Sequence, residues 1–171
     1  LRVSAEQAQD GIYRHTGLAS LPPETYAELG DQIVGWAWDS TVDNSAAPEG
    51  LVTLADTPVY GSLLTDAGNF LNDTLAPSRA QMTRYTASSG AIVFAAGALQ
   101  WSWGLGAQGL AETEADPYIS QITYNVLADM GVQPASPVGS LILDGTDSTL
   151  PPVQAVQAVE ATAPVVISNI Q

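Results

Sequence analysis

The sequence has no cysteine and no lysine, a single histidine (His15) and four arginines (Arg2, Arg14, Arg79, Arg84). Each shortage removes a class of chemistry. Without cysteine there is no disulfide, thiolate nucleophile or cysteine-bound metal. With one histidine, no multi-histidine metal site can be built without residues from outside the chain, and any Ser-His-Asp arrangement within it must use His15. The four arginines face 18 carboxylates, and the formal net charge is −14. Such a surface repels phosphate backbones and anionic lipid, which excludes nucleic acid as a partner. The longest apolar run, residues 91–99, is broken by Gly97 and ends at Gln100, so membrane insertion is excluded for it. The opening LRVSAEQAQD lacks the basic start and apolar core of a secretory leader. No G-x-S-x-G, H-E-x-x-H or phosphate-loop motif occurs.

What is present reads as one core, for which 171 residues suffice. IVGWAW at 33–38 and LVTLA at 51–55 are apolar runs suited to buried strands. The loop between them is dense in turn residues, and 62–73 fits either a short helix or a loop. AQMTRYTA at 80–87 alternates weakly and predicts a strand. Ser88-Ser89-Gly90 then turns it into a partner strand at 91–96. A helix is predicted over 117–130. Asp116 caps it, Pro117 fills the first helical position, and Gly131 and Pro134 end it. Its apolar face is read as Ile119, Ile122, Val126, Leu127 and Met130, packed on a sheet.

After Pro134 the composition shifts to Pro, Ser, Thr and Ala without arginine or aromatics, which predicts an extended, poorly packed linker over 134–162 with one strand at 141–143. The closing APVVISNIQ resembles the first strand of bacterial fibronectin type III repeats. Residues 163–171 are therefore expected to open a β-sandwich domain, and the chain to be a piece of a longer protein.

Candidate chemistry is sparse, and each candidate has a bland alternative. His15, in the loop RHTGL, is either a base or a structural residue. Asp39, closing the first apolar run, either orients a substrate or caps the next turn. Gln100, Trp101 and Trp103 follow the strand at 91–96, where open α/β sheets place ligands. In extended geometry the two indoles share a face and either line a pocket for a glycan or fill the core. Trp36 and Trp38 repeat the spacing. Asp39, Asp43 and Asn44, or Asp66, Asn69, Asn72 and Asp73, offer oxygen ligands without the EF-hand pattern.

The residues Gly35 and Asp39, then Gly90, Val93, Phe94, Gly97, Trp101 and Leu105, then Asn125, Val126 and Leu127 fall in one order over 14–132. In that order the chain resembles the C-terminal part of N,N-dimethylformamidase large-subunit-like proteins. The resemblance implies an α/β fold, a partial class I glutamine amidotransferase-like sandwich filling 1–133, with an extended C-terminal tail. It also implies hydrolysis of amide C–N bonds by an iron-activated water. The iron ligands, two tyrosines and a glutamate, are expected upstream, so no cofactor or metal is assigned to the chain itself. Tyr13, Tyr60 and Tyr85 are not marked as ligands by their spacing. The family's G-x-E-x-D segment reads GWAWD here, so Ala37 stands where the resemblance expects the assisting glutamate. Expected partners are the upstream half of the domain, a downstream β-sandwich and a small amide. The expected setting is a secreted or cell-surface multidomain bacterial protein, with the chain inactive alone. The rival reading is a non-catalytic glycan-binding or spacer module.

Overall fold

The structure, a computed structural model, describes residues 1–35, 37–43, 45–61, 76–106, 115–137, 139–145 and 148–157. Among the described residues, six strands make two three-stranded antiparallel sheets. In the first, β2 (Thr25–Glu28) lies between β1 (Arg2–Ser4) and β6 (Val156–Gln157). In the second, β4 (Ala76–Thr86) lies between β3 (Val52–Gly61) and β5 (Ile92–Ala95). Short 3-10 turns occupy Gln7–Gln9, Gly11–Tyr13, Leu18–Ser20 and Leu99–Leu105. Among the described residues one α-helix, α1 (Pro117–Asp129), follows β5.

This overturns the expected amidotransferase-like α/β sandwich. A parallel sheet needs a crossover of a dozen or more residues, usually helical, between successive strands. Among the described residues the only α-helix comes after five of the six strands, and every strand pairing is antiparallel. The described residues of the run at 33–38 do not form a strand either. Gly30 and Gln32 both take positive φ (60° and 59°), which breaks the chain before it, and a lone bridge from Trp38 to Ala98 is its only pairing among the described residues.

The strands of the second sheet follow the predicted positions, β3 and β4 running longer than expected and β5 shorter. β3 and β4 stay in register from Val52↔Arg84 to Gly61↔Ala76, with a bulge between Thr53 and Ala55. The bulge turns two consecutive residues, Leu54 and Ala55, into the core, where a regular strand would bury only one. Pro58 is tolerated because β3 is an edge strand of its sheet. The turn at 88–90 closes as expected, with the Ala87 N–H on the Ala91 carbonyl at 2.8 Å and Gly90 at φ 86°. The segment 62–73, Asn44, Trp36 and the C-terminal strand at 163–171 lie outside the described residues.

The core joins Val3, Ala27, Leu54, Ala55 and Met82 from the sheets to Ile12, Tyr13, Leu18, Leu29 and Ile33 from the turns and to Ile119, Ile122 and Val126 from α1. The helix packs chiefly on the turns at Gly11–Tyr13 and Leu99–Leu105, not on a sheet. Its buried stripe is also rotated from the expected one. Gln121, Tyr124 and Asn125 are buried, while Leu127 and Met130 are exposed.

Asp116 starts the helix and ties it to the body. Its Oδ1 accepts the N–H groups of Tyr118 and Ile119 (2.8 and 3.0 Å), and its Oδ2 accepts the Gly30 N–H at 2.8 Å. Asp116→Ala removes a cap worth ~1 kcal/mol and orphans a part-buried amide worth a further ~1 kcal/mol. Urea titration is expected to show a loss of about 2 kcal/mol on that count. A midpoint equal to the parent's would refute the double role.

The tail corrects a further expectation. Residues 139–145 and 148–157 are docked on the body rather than loosely extended. Val153 packs against the core, and β6 pairs with β2 at Thr25↔Gln157 and Tyr26↔Val156. Residues 141–143 are irregular rather than strand. Among the described residues no helix is long and apolar enough to cross a membrane.

Candidate functional site

The structure separates the sequence-predicted residues into two groups. Asp39, Gln100, Trp101 and Trp103 gather where β5 runs into the 3-10 turn at Leu99–Leu105. The Asp39 N–H donates to the Gly97 carbonyl at 3.0 Å, and the Asp39 carbonyl accepts the Gln81 N–H at 2.9 Å. The backbone of Asp39 thus stitches the 37–39 segment to both β4 and the end of β5, and its side chain stays exposed. Gly97 makes the approach possible. Its φ is +70°, and a Cβ there would lie 2.0 Å from the Gln81 carbonyl oxygen.

Gln100 is buried, its amide oxygen lying against Gly35 so closely that a Cβ at 35 would sit 1.7 Å from it. The Trp101 indole N–H donates to the Thr123 hydroxyl on α1 at 3.1 Å, and its ring meets Phe94 edge-on with centroids 6.1 Å apart. Trp101 therefore anchors the turn to the helix. The expected shared face for Trp101 and Trp103 does not form. Both sit in a 3-10 turn, where residues two apart are rotated by ~240° rather than brought to one side. Trp38 donates its indole N–H to the Ser78 hydroxyl at 3.2 Å. Ala37 is exposed and accepts the Leu99 N–H at 3.2 Å through its carbonyl.

His15 belongs to a second group at the far end of α1. Its backbone is left-handed, at φ 65°. Nδ1 lies 2.9 Å from the Ser148 carbonyl and Nε2 3.7 Å from Asp144. Arg14 beside it bonds Asp144 through Nε at 2.7 Å and Nη2 at 3.2 Å, and Asp129 at 2.9 Å. The hydrogen bond from Arg14 holds the Asp144 carboxyl below its ordinary value of 3.8 against the opposing cost of burial, and the charges of Arg14 and His15 act in the same sense. A depressed carboxyl stabilises the folded state above its unfolded value and loses that contribution as pH falls through the depressed one. The clamp therefore persists at neutral pH and opens only in strong acid.

Sequence reasoning missed Arg14, Gln121, Thr123 and Asp144 as structural ties, and named Asn125 without a physical role. The usable signal was scarcity. All four arginines are ion-paired, Arg2 with Glu28, Arg79 with Asp56, Arg84 with Asp10 and Arg14 with two aspartates.

The residues described do not fit the iron that the resemblance implies. Tyr13 is buried, donates its hydroxyl to the Leu54 carbonyl at 2.5 Å, and is held protonated by burial, which raises it well above 10.0. Tyr60 opposite Pro77 and Tyr85 opposite Val93 stand at opposite ends of the hairpin. At ~3.4 Å per residue they are roughly 25 Å apart. Among the described residues no three His, Asp or Glu side chains converge as metal ligands, the Asp39–Asp43 loop included. A cleft of about 440 Å³ lies elsewhere, lined by Leu29, Gly30, Gln32, Thr57, Val59 and Asp116 among others, and none of the predicted site residues lines it.

The class defined by these features is an antiparallel β domain closed by one capped helix, with its predicted site residues used mainly as ties between elements. Residues 1–116 match the family model described as N,N-dimethylformamidase beta subunit-like, C-terminal, and the chain belongs to that family. The match begins upstream of the resemblance at 14–132 and stops at Asp116, so Asn125, Val126 and Leu127 lie outside it. No curated protein and no solved structure matches the chain.

Proposed function

We propose that the chain is part of a dimethylformamidase-like domain descended from hydrolases of amide C–N bonds, in which this portion supports the chemistry rather than supplying it. The observation that carries this reading is the family match over 1–116. The geometry agrees with a supporting role. The Trp101 side chain and the Asp39 backbone are occupied in joining β4, the end of β5 and α1, and Tyr60 and Tyr85 lie too far apart to share an ion.

We further propose that the parent is a secreted, multidomain bacterial protein with a fibronectin type III-like neighbour, and that its hydrolytic site is altered. Ala37 supports the second point, because the position is exposed beside the 97–105 turn and carries only a methyl group. A glycan-stacking module has less support, since the indoles of Trp38 and Trp101 are hydrogen-bonded within the fold.

Iron analysis of the full-length protein, together with dimethylamine release from N,N-dimethylformamide, tests the reading. Iron at one per chain with little release is the expected result. Absence of iron would overturn the hydrolase descent and leave the spacer reading. Release at the rate of an efficient hydrolase would overturn the altered site instead.

A further inference from the structure

Residues 139–145 and 148–157 form a strap along a groove between α1 and the backbone around 14–17. The body addresses this strap mostly through its main chain. Gln121 brackets Ile142, donating Nε2 to its carbonyl and accepting its N–H on Oε1, each at 2.9 Å. The Tyr124 hydroxyl accepts the Asp144 N–H at 3.3 Å, and the Tyr118 hydroxyl donates to the Pro151 carbonyl at 2.6 Å. The His15 carbonyl accepts the Leu150 N–H at 2.7 Å, and its ring lies on the Ser148 carbonyl. Gly17 leaves room for the passing backbone, since a Cβ there would meet the Leu150 carbonyl at 3.3 Å. One charge fixes the position of the strap, Asp144 on Arg14. Around Asp144 are Arg14 and His15 on its carboxylate, the Tyr124 hydroxyl on its N–H and, across Arg14, Asp129.

This is how a groove holds an extended peptide: main-chain hydrogen bonds give affinity, and one charged pocket gives register. The apolar share is small, as Val153 is the strap's one side chain packed against the core among the described residues. A segment held mostly by polar contacts can leave into water while exposing little apolar surface, and water then replaces the lost hydrogen bonds at modest cost. The prolines at 151 and 152 keep the detached strap extended and lower the entropy lost on docking again.

We propose that the groove is a peptide-docking site whose resident ligand is the chain's own strap, held reversibly, so that the strap of a second copy can take its place. The recognised pattern is Ile142-Leu143-Asp144 for Gln121 and Arg14, followed by Leu150-Pro151 for His15 and Tyr118. The resident strap competes at the high effective concentration of a tethered ligand, so weakening it is the way to reveal the site.

The probe is a fluorescent peptide of residues 140–152, titrated by anisotropy against the full chain and its Asp144→Ala variant. The variant is expected to bind at least tenfold more tightly, because its own strap has lost Arg14 while the peptide retains its aspartate. Adding Gln121→Ala to that variant should abolish saturable binding. No saturable binding to an Asp144→Ala chain that keeps its helical circular dichroism overturns the proposal. If Asp144→Ala does not fold, hydrogen exchange on the unmodified chain decides. A reversible strap gives exchange at Ile142, Asp144 and Leu150 at least tenfold faster than at Ile122 and Val126, relative to intrinsic rates. Equal protection shows that the strap opens only with the whole domain, which also overturns it.

Discussion

Replacing Gly97 by alanine is expected to cost about 3 kcal/mol, one of the two largest losses from any single substitution considered. Two independent effects add. An L-residue at a left-handed φ costs ~1–2 kcal/mol, and forcing a methyl group into packed structure costs ~1–3 kcal/mol. The packing effect is severe here because the obstruction is backbone. A Cβ at position 97 would lie 2.0 Å from the Gln81 oxygen and 2.5 Å from its carbon, and no side-chain rotation relieves that. The backbone at position 97 would have to move away from Gln81 on β4, disturbing the bond from the Asp39 N–H to the Gly97 carbonyl. Gly90 supplies the control. Its φ is +86°, yet a Cβ there meets nothing within 4 Å, so Gly90→Ala carries only the conformational cost of ~1–2 kcal/mol. Urea denaturation of the two variants beside the parent separates the effects. If Gly97→Ala loses no more than Gly90→Ala, the close approach of Gly97 to β4 is refuted.

The parts of the fold that were legible are those governed by local rules. Asp116-Pro117 at one end and Gly131 at the other marked the helix to within a residue, because capping chemistry acts between neighbours in sequence. The 88–90 turn and its two strands were legible for the same reason. Everything that depended on distant residues was not. Two positive-φ residues, Gly30 and Gln32, stop the apolar run at 33–38 from forming a ladder, and its pattern gives no sign of them. β1, β2 and β6 are two to four residues long, below the length at which alternation can be read, and they exist because they pair with each other.

The candidate site shows the same division. Asp39, Gln100 and Trp101 were singled out for position and residue type, and the structure does gather them at one turn, Asp39 through the adjoining 37–39 segment. Their partners, Gln81, Gly35 and Thr123, come from three other elements, so the ties they make could not be inferred from spacing. The family likeness, drawn over 14–132, agrees with the family match over 14–116 but carried the wrong architecture with it. Similarity over one stretch of a domain does not transmit the sheet order of the rest.

Asn125 illustrates what a recognisable residue does physically, and its removal is expected to be as costly as the loss of Gly97. It is fully buried on α1, where an apolar residue would be the default choice. Its Nδ2 donates to the carbonyls of Ile12 and Arg14 at 2.7 and 2.8 Å, and its Oδ1 accepts Nε2 of Gln121 at 3.0 Å. Those carbonyls belong to a 3-10 turn and the residue just after it. Such a stretch cannot satisfy them by an internal helical ladder, so the helix must supply donors from its side. Leucine at 125 would match the volume and add apolar surface worth ~1–2 kcal/mol. Against that, it would strand two acceptors and one donor in the core at ~1–3 kcal/mol each, and the penalty wins by about 3 kcal/mol. The thermal midpoint of Asn125→Leu should fall by about 10 °C, given ~3 °C per kcal/mol for a domain of this size. The turn and the helix would loosen together, because Arg14 also donates Nη2 to the Asn125 carbonyl at 3.2 Å. Since Asn125 lies beyond residue 116, where the family match ends, such a loss would also place α1 inside the cooperative unit. A midpoint within 2 °C of the parent's would show that water, rather than Asn125, satisfies the turn.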